Sequence, residues 1–208
     1  TTFQIINDDQ SSHRVNWYTN AWWLSCQAAQ IASGQSLQIS PQLSGSLPPG
    51  HYSTWLWGIV DNDSAPTLAV PINYIAPYTA QDLAEGALQA EISIGQGESS
   101  HYYIQVEPGT SQLSVDLALE TLAPQNEYEH TIALGRCAVA LYSPDGRLYK
   151  STPYIGASYG DILTTTAHLE AASPKAGLWQ LTITSSDWLS MYNHFETKAK
   201  LSVTLAAQ

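Results

Sequence analysis

Hydrophobic residues along this chain recur at every second position far more often than at helical spacing. Leu113, Val115, Leu117 and Leu119 alternate with Gln112, Ser114, Asp116 and Ala118. A period of two sends one set of side chains into a core and the other outward, as a half-buried strand requires. Trp179, Leu181 and Ile183 repeat the pattern, as do Leu201, Val203 and Leu205, with Ser202 and Thr204 turned outward. Further strands are predicted over residues 3–6, 14–18, 36–39, 54–60, 67–74, 88–94, 101–106 and 138–142. Helical periodicity is confined to two short stretches, 80–89 and 187–192, which read as connectors or single turns.

Turn chemistry separates these strands. Glu107-Pro108-Gly109 precedes the Leu113 strand, Ser143-Pro144-Asp145-Gly146 has the residue order of a type I turn, and Pro174-Lys175-Ala176-Gly177 introduces the Trp179 strand. Short strands punctuated by Gly and Pro predict an all-β chain of antiparallel sandwiches. The pattern weakens across residues 75–86. The boundary is placed there, giving a sandwich over 1–77, a linker over 78–86 and a second sandwich over 87–208.

The 208 residues carry 18 acidic against 7 basic side chains, a net charge of −11. That balance repels phosphate backbones and argues against nucleic acid as a partner. A surface poor in Lys and rich in Ser, Thr, Gln and Asn fits a secreted, periplasmic or cell-surface setting. No apolar run approaches the roughly 20 residues that span a bilayer. Thr1 opens no signal sequence, so the chain reads as a mature soluble product or an excised fragment. Cys26 and Cys137 stand one in each half. A disulfide between them would staple two domains together, which nothing in the sequence requires or excludes, and two independent buried thiols are the preferred reading.

Candidate chemistry is sparse. The six histidines are scattered with no zinc-type spacing, and the glutamates sit mainly at turns and strand ends, where carboxylates are ordinarily solvated. Asp61 and Asp63 flank Asn62 in an acidic turn and are the candidate ligands for a structural calcium, which prefers several oxygens. They lack the spacing of a calcium-binding helix-loop-helix, so solvated turn residues are the simpler expectation. No other cofactor is expected. Asn62-Asp63-Ser64 also forms a glycosylation sequon.

Aromatic content is the unusual feature: seven Trp and twelve Tyr against two Phe and one Met. Trp17, Tyr18, Trp22 and Trp23, or Trp55 and Trp57 on one face of a strand, would serve as a platform that stacks on sugar rings. The simpler expectation is that these rings fill the core or a seam between the sandwiches. Trp55, Trp57 and Ile59 share a face with Leu56 opposite, so one of the two sets lies outside or under another domain.

The order of several short motifs adds a family. Trp22-Trp23-Leu24, Gly34-Gln35-Ser36-Leu37-Gln38-Ile39-Ser40-Pro41, Leu47-Pro48-Pro49-Gly50-His51-Tyr52, Gly58-Ile59-Val60-Asp61 and Val70-Pro71-Ile72 follow one another. This series resembles the region downstream of the catalytic domain in subtilisin-like serine proteases of the tripeptidyl peptidase II and pyrolysin-like branch. Ser99 to Thr110 is similar to that branch's element opening a jelly-roll-like sandwich, and Ala176-Gly177-Leu178-Trp179-Gln180-Leu181-Thr182-Ile183 to a strand near the end of such domains. The resemblance implies an immunoglobulin or fibronectin-like sandwich followed by a jelly-roll-like one. It implies a non-catalytic accessory region whose triad lies upstream in the same polypeptide, with protein substrate or self-association as further partners. Gly109-Thr110-Ser111 copies the start of the subtilase nucleophile motif, yet strand periodicity follows it, so a turn is expected there. A carbohydrate-binding module and a cell-surface adhesive domain are the competing readings.

Overall fold

The computed structural model describes residues 2–61, 63–85, 88–122, 132–133, 135–156, 164–186 and 196–207. The chain divides into two compact units, Thr1–Ala76 and Pro77–Gln208. It is nearly all strand, in antiparallel sheets, with one five-residue helix among the described residues.

In chain order the first unit holds β1 (Phe3–Ile6), β2 (His13–Tyr18), β3 (Leu24–Ser25), β4 (Ala29–Ile31), β5 (Ser36–Ile39), β6 (Gln42–Leu43), β7 (Gly50–Val60) and β8 (Leu68–Ala76). Strands β4-β2-β7-β8 form one sheet, while β1 pairs with β5 and β3 with β6. The inner face of that sheet supplies Leu56, Ile72 and Trp17 to a core shared with Phe3 of β1 and with Trp23 and Leu24. Trp17 lies directly opposite Gly58 in the β2–β7 register, and a Cβ on Gly58 would fall 2.9 Å from the indole. The missing side chain is what lets a ring that large point inward. Pro71 is tolerated because β8 is an edge strand, where a lost N–H breaks no ladder.

The second unit begins with α1 (Ala80–Ala84), then β9 (Ala90–Gly95), β10 (Ser99–Val106), β11 (Thr110–Leu119), β12 (Thr121–Leu122), β13 (Ile132–Ala133), β14 (Arg136–Tyr142), β15 (Leu148–Ser151), β16 (Ile155–Gly156), β17 (Thr166–Ala172), β18 (Gly177–Ser185) and β19 (Glu196–Ala207). One sheet runs β17-β11-β19-β9; the other runs β10-β18-β14-β15, with β16 also pairing with β14. Leu113, Val115 and Leu117 of the first meet Val139, Leu141, Trp179 and Leu181 of the second in a single core. The Trp179 indole is fully buried, and its Nε1–H donates to the Lys175 carbonyl at 2.8 Å.

Residues 78–85, expected to be part of a linker, belong to this second unit. The Tyr78 amide donates to Tyr103 and its carbonyl accepts from Gln105, and Leu83 is buried in the core. Thr79 caps α1, its hydroxyl accepting from the Asp82 amide while the Asp82 carboxylate accepts from the Thr79 amide at 2.7 Å. This reciprocal cap makes a single turn of helix tenable. Thr110 opens β11 after Gly109, and Ser111 Oγ donates to the Ala206 carbonyl at 3.1 Å. Ser111 therefore sits on a strand, without the helix the subtilase nucleophile requires. The other helical candidate, 187–192, and Asn62 of the sequon lie outside the described residues.

Candidate functional site

Strand β7 sets the aromatic surface of the first unit. Its even positions from Tyr52 to Gly58 face the core and its odd positions face outward, so Leu56 is fully buried while Trp55 remains 49% exposed. The indoles of Trp55 and Trp57 stack with ring centroids 5.8 Å apart and 29° between planes. Across the sheet Trp57 faces Tyr18 on β2 and Ala69 on β8, and Trp55 faces Pro71. Tyr18 is 41% exposed, which makes a continuous aromatic patch on the outward face.

The five tryptophans of the two alternative platforms lie in three places. Trp17 and Trp23 are core residues, packed edge-on against Phe3 and Tyr52. Trp55 and Trp57 stand on the outer sheet face. Trp22, 71% exposed, sits in the turn before β3. Trp17 Nε1 is buried without a hydrogen-bond partner, a cost that inward packing of the ring must outweigh. Pro71, Ala69 and Asn73 complete the patch and went unnoticed in the sequence, because the β7–β8 register that brings them to Trp55 and Trp57 depends on the intervening turn.

The acidic turn after β7 is engaged by a histidine. Asp61 adopts a left-handed backbone (φ 49°), a conformation that Asp tolerates better than most residues. One of its carboxylate oxygens accepts from the Arg14 amide at 2.8 Å and the other meets His13 Nδ1. His13 Nε2 lies 2.9 Å from the Asp9 carboxylate and 3.1 Å from Ser11 Oγ. Asp63 is exposed and carries its own turn bond to Val60. Among the described residues no group of three or more His, Cys, Asp or Glu side chains is placed to hold a metal ion. Calcium at Asp61 would compete with the His13 contact.

Ser11, His13 and Asp61 reproduce the connectivity of a serine-hydrolase triad, with Asp9 as a second carboxylate on the histidine. Hydrogen bonds to Asp61 and then Asp9 raise the His13 pKa. Both ring nitrogens face carboxylates, and Nε2 also meets the Ser11 hydroxyl. The arrangement ties the loop before β2 to the turn after β7.

The second unit carries an open cleft of about 610 Å³ on the outer face of its β17-β11-β19-β9 sheet, lined among others by Glu91, Asp116, Thr166, Lys200 and Ser202. Beside it His168 Nδ1 bonds Asp116 at 2.8 Å, which raises the histidine pKa. Cys26 is half-buried and Cys137 buried, and both are free thiols. Burial pushes the Cys137 pKa up to about 12.

No protein-family profile matches the chain, and no curated protein matches it in sequence. Among solved structures it is similar to the crystal structure of tripeptidyl peptidase 2 (TPP II), with a TM-score of 0.60 and 14% identity over 94% of this chain. At that identity the likeness is one of fold. This chain spans 16% of the length of that protein. A second superposition, on the secreted serine protease VesC from Vibrio cholerae, covers 99% of this chain and 46% of that one at 10% identity, but its TM-score of 0.38 is too low to argue from. No described helix is long and apolar enough to cross a membrane.

Proposed function

We propose that this chain is a non-catalytic accessory region of a secreted, periplasmic or cell-surface subtilisin-like serine protease, following the catalytic domain in one polypeptide. Its work is to stabilise the enzyme, mediate assembly or hold substrate near the active site. The observation that carries this reading is the alignment of 94% of the chain, both units included, within a stretch making up 16% of a tripeptidyl peptidase. The order of short motifs in the sequence points to the same branch independently.

The finer architecture in this proposal is an immunoglobulin or fibronectin-like sandwich followed by a jelly-roll-like one. The β4-β2-β7-β8 sheet covered by β1 and β3 supports the former. The latter is supported by eight strands in the paired orders β9-β19-β11-β17 and β10-β18-β14-β15, the interleaving expected of two Greek keys wound into facing sheets.

Deleting these 208 residues from the parent protease tests the role. The expected result is a shorter thermal half-life, altered assembly or weaker turnover of large protein substrates, with small-peptide hydrolysis less affected. A truncated enzyme indistinguishable from the intact one in half-life, native size and protein digestion would overturn the accessory reading.

A further inference from the structure

We infer that the outward face of β7 is a binding site for a neutral saccharide, with a sugar ring stacking on Trp55. An exposed pair of indoles offers flat apolar ring faces on which a ligand ring can stack. The near-parallel Trp55–Trp57 pair shields one face of each ring and leaves Trp55 about half exposed beside Pro71.

Three properties specify the ligand. The rows Tyr18–Trp57–Ala69, Trp55–Pro71 and Ser53–Asn73 contain no ionic side chain, in a chain with a net charge of −11. Arg14, the nearest on β2, lies beyond Asn16 and donates its Nε to the Asn16 amide at 3.2 Å. A charged ligand would lose solvation here without gaining a partner, whereas a neutral one would not. Next to the rings, Ser53 and Asn73 supply a hydroxyl and an amide for sugar hydroxyl groups. The patch of Tyr18, Trp55, Trp57, Ala69 and Pro71 covers two rows along the strands and three strands across, about 7 Å by about 10 Å. That footprint matches a sugar ring or two and falls far short of the roughly 800 Å² per partner of a stable protein interface.

The inference is independent of the protease reading, because it is tested on this chain alone. Native gels containing hydroxyethyl cellulose, xylan or a laminarin-type β-glucan should retard the chain in at least one case, and polygalacturonate, an anionic control, should not. Trp55→Ala should weaken the retaining interaction about tenfold, one aromatic stack converted to affinity. Trp55→Phe should recover part of it, and Trp22→Ala, which removes an exposed indole away from the face, should leave it intact. Circular dichroism of each variant verifies folding. Absence of retardation in all three neutral polysaccharides would overturn the inference. So would retardation that survives Trp55→Ala, binding confined to the anionic polymer, or a self-association seen on size exclusion that Trp55→Ala abolishes.

Discussion

Leu56 and Trp55 are neighbours in β7, and the register assigns them to opposite faces, so substituting each should have very different consequences. Leu56 is fully buried in the first unit's core. Leu56→Ala removes its apolar contacts and leaves a cavity, at a cost of about 2–5 kcal/mol. A unit of 76 residues has a total stability of about 4–11 kcal/mol, so the loss is a large fraction of the whole. Trp55 is 49% exposed. Of the roughly 150–250 Å² an indole can bury it hides only about half, which bounds the cost of Trp55→Ala at about 3 kcal/mol, and compact unfolded states lower that further. Urea unfolding followed by tryptophan emission is a suitable assay, since five of the seven tryptophans lie in this unit. With a slope near 1 kcal/mol per molar, Leu56→Ala should lower the midpoint by about 2 M or more, and Trp55→Ala by clearly less. Equal shifts, or a larger shift for Trp55→Ala, would refute the inward and outward assignment of β7.

Other predictions follow from single sites. The His13 clamp should weaken as pH rises above 6.5, because a raised folded-state pKa gives stability that is complete at lower pH and lost on deprotonation. It should also weaken as pH falls below 3.8, where Asp9 and Asp61, whose pKa values are lowered, become protonated. The melting-temperature difference between wild type and His13→Gln should therefore be greater at pH 5.5 than at pH 8.5; a difference that grew with pH would contradict the clamp. Gly58→Ala should destabilise the first unit by about 1–3 kcal/mol in the same urea assay, since its Cβ would meet the Trp17 ring at 2.9 Å and Val15 at 3.0 Å. Native thiol titration at pH 8 should leave Cys137 unmodified while Cys26 reacts slowly, and both should react in urea; a mass change on reduction would disprove free thiols.

The strands that were legible in the sequence are those whose inward residues are large. Leu113 to Leu119 and Trp179 to Ile183 announce their faces because large apolar residues fall at every second position. Strand β17 went unseen because Thr166–Ala172 is rich in Ala, Leu and Glu, residues that favour helix. Pairing with β11 overrides that preference and buries Ala167, Leu169 and Ala171. Strand β15 is a sheet edge with all four residues exposed and so carries no alternation to read. The candidate site was half legible: the period of two put Trp55 and Trp57 together, but their exposure depends on what packs over the strand. The His13–Asp61 pair, 48 residues apart, had no local signal at all.

The central claim is that this region continues a serine protease, and the most direct test is to capture the native protein with an antibody to these residues and label it with a fluorophosphonate. The account predicts a polypeptide far larger than 22.6 kDa that labels covalently, with the modified serine mapped by peptide sequencing to a segment upstream of Thr1. A native product of about this size, or a larger one that remains unlabelled while active control proteases react, would contradict it.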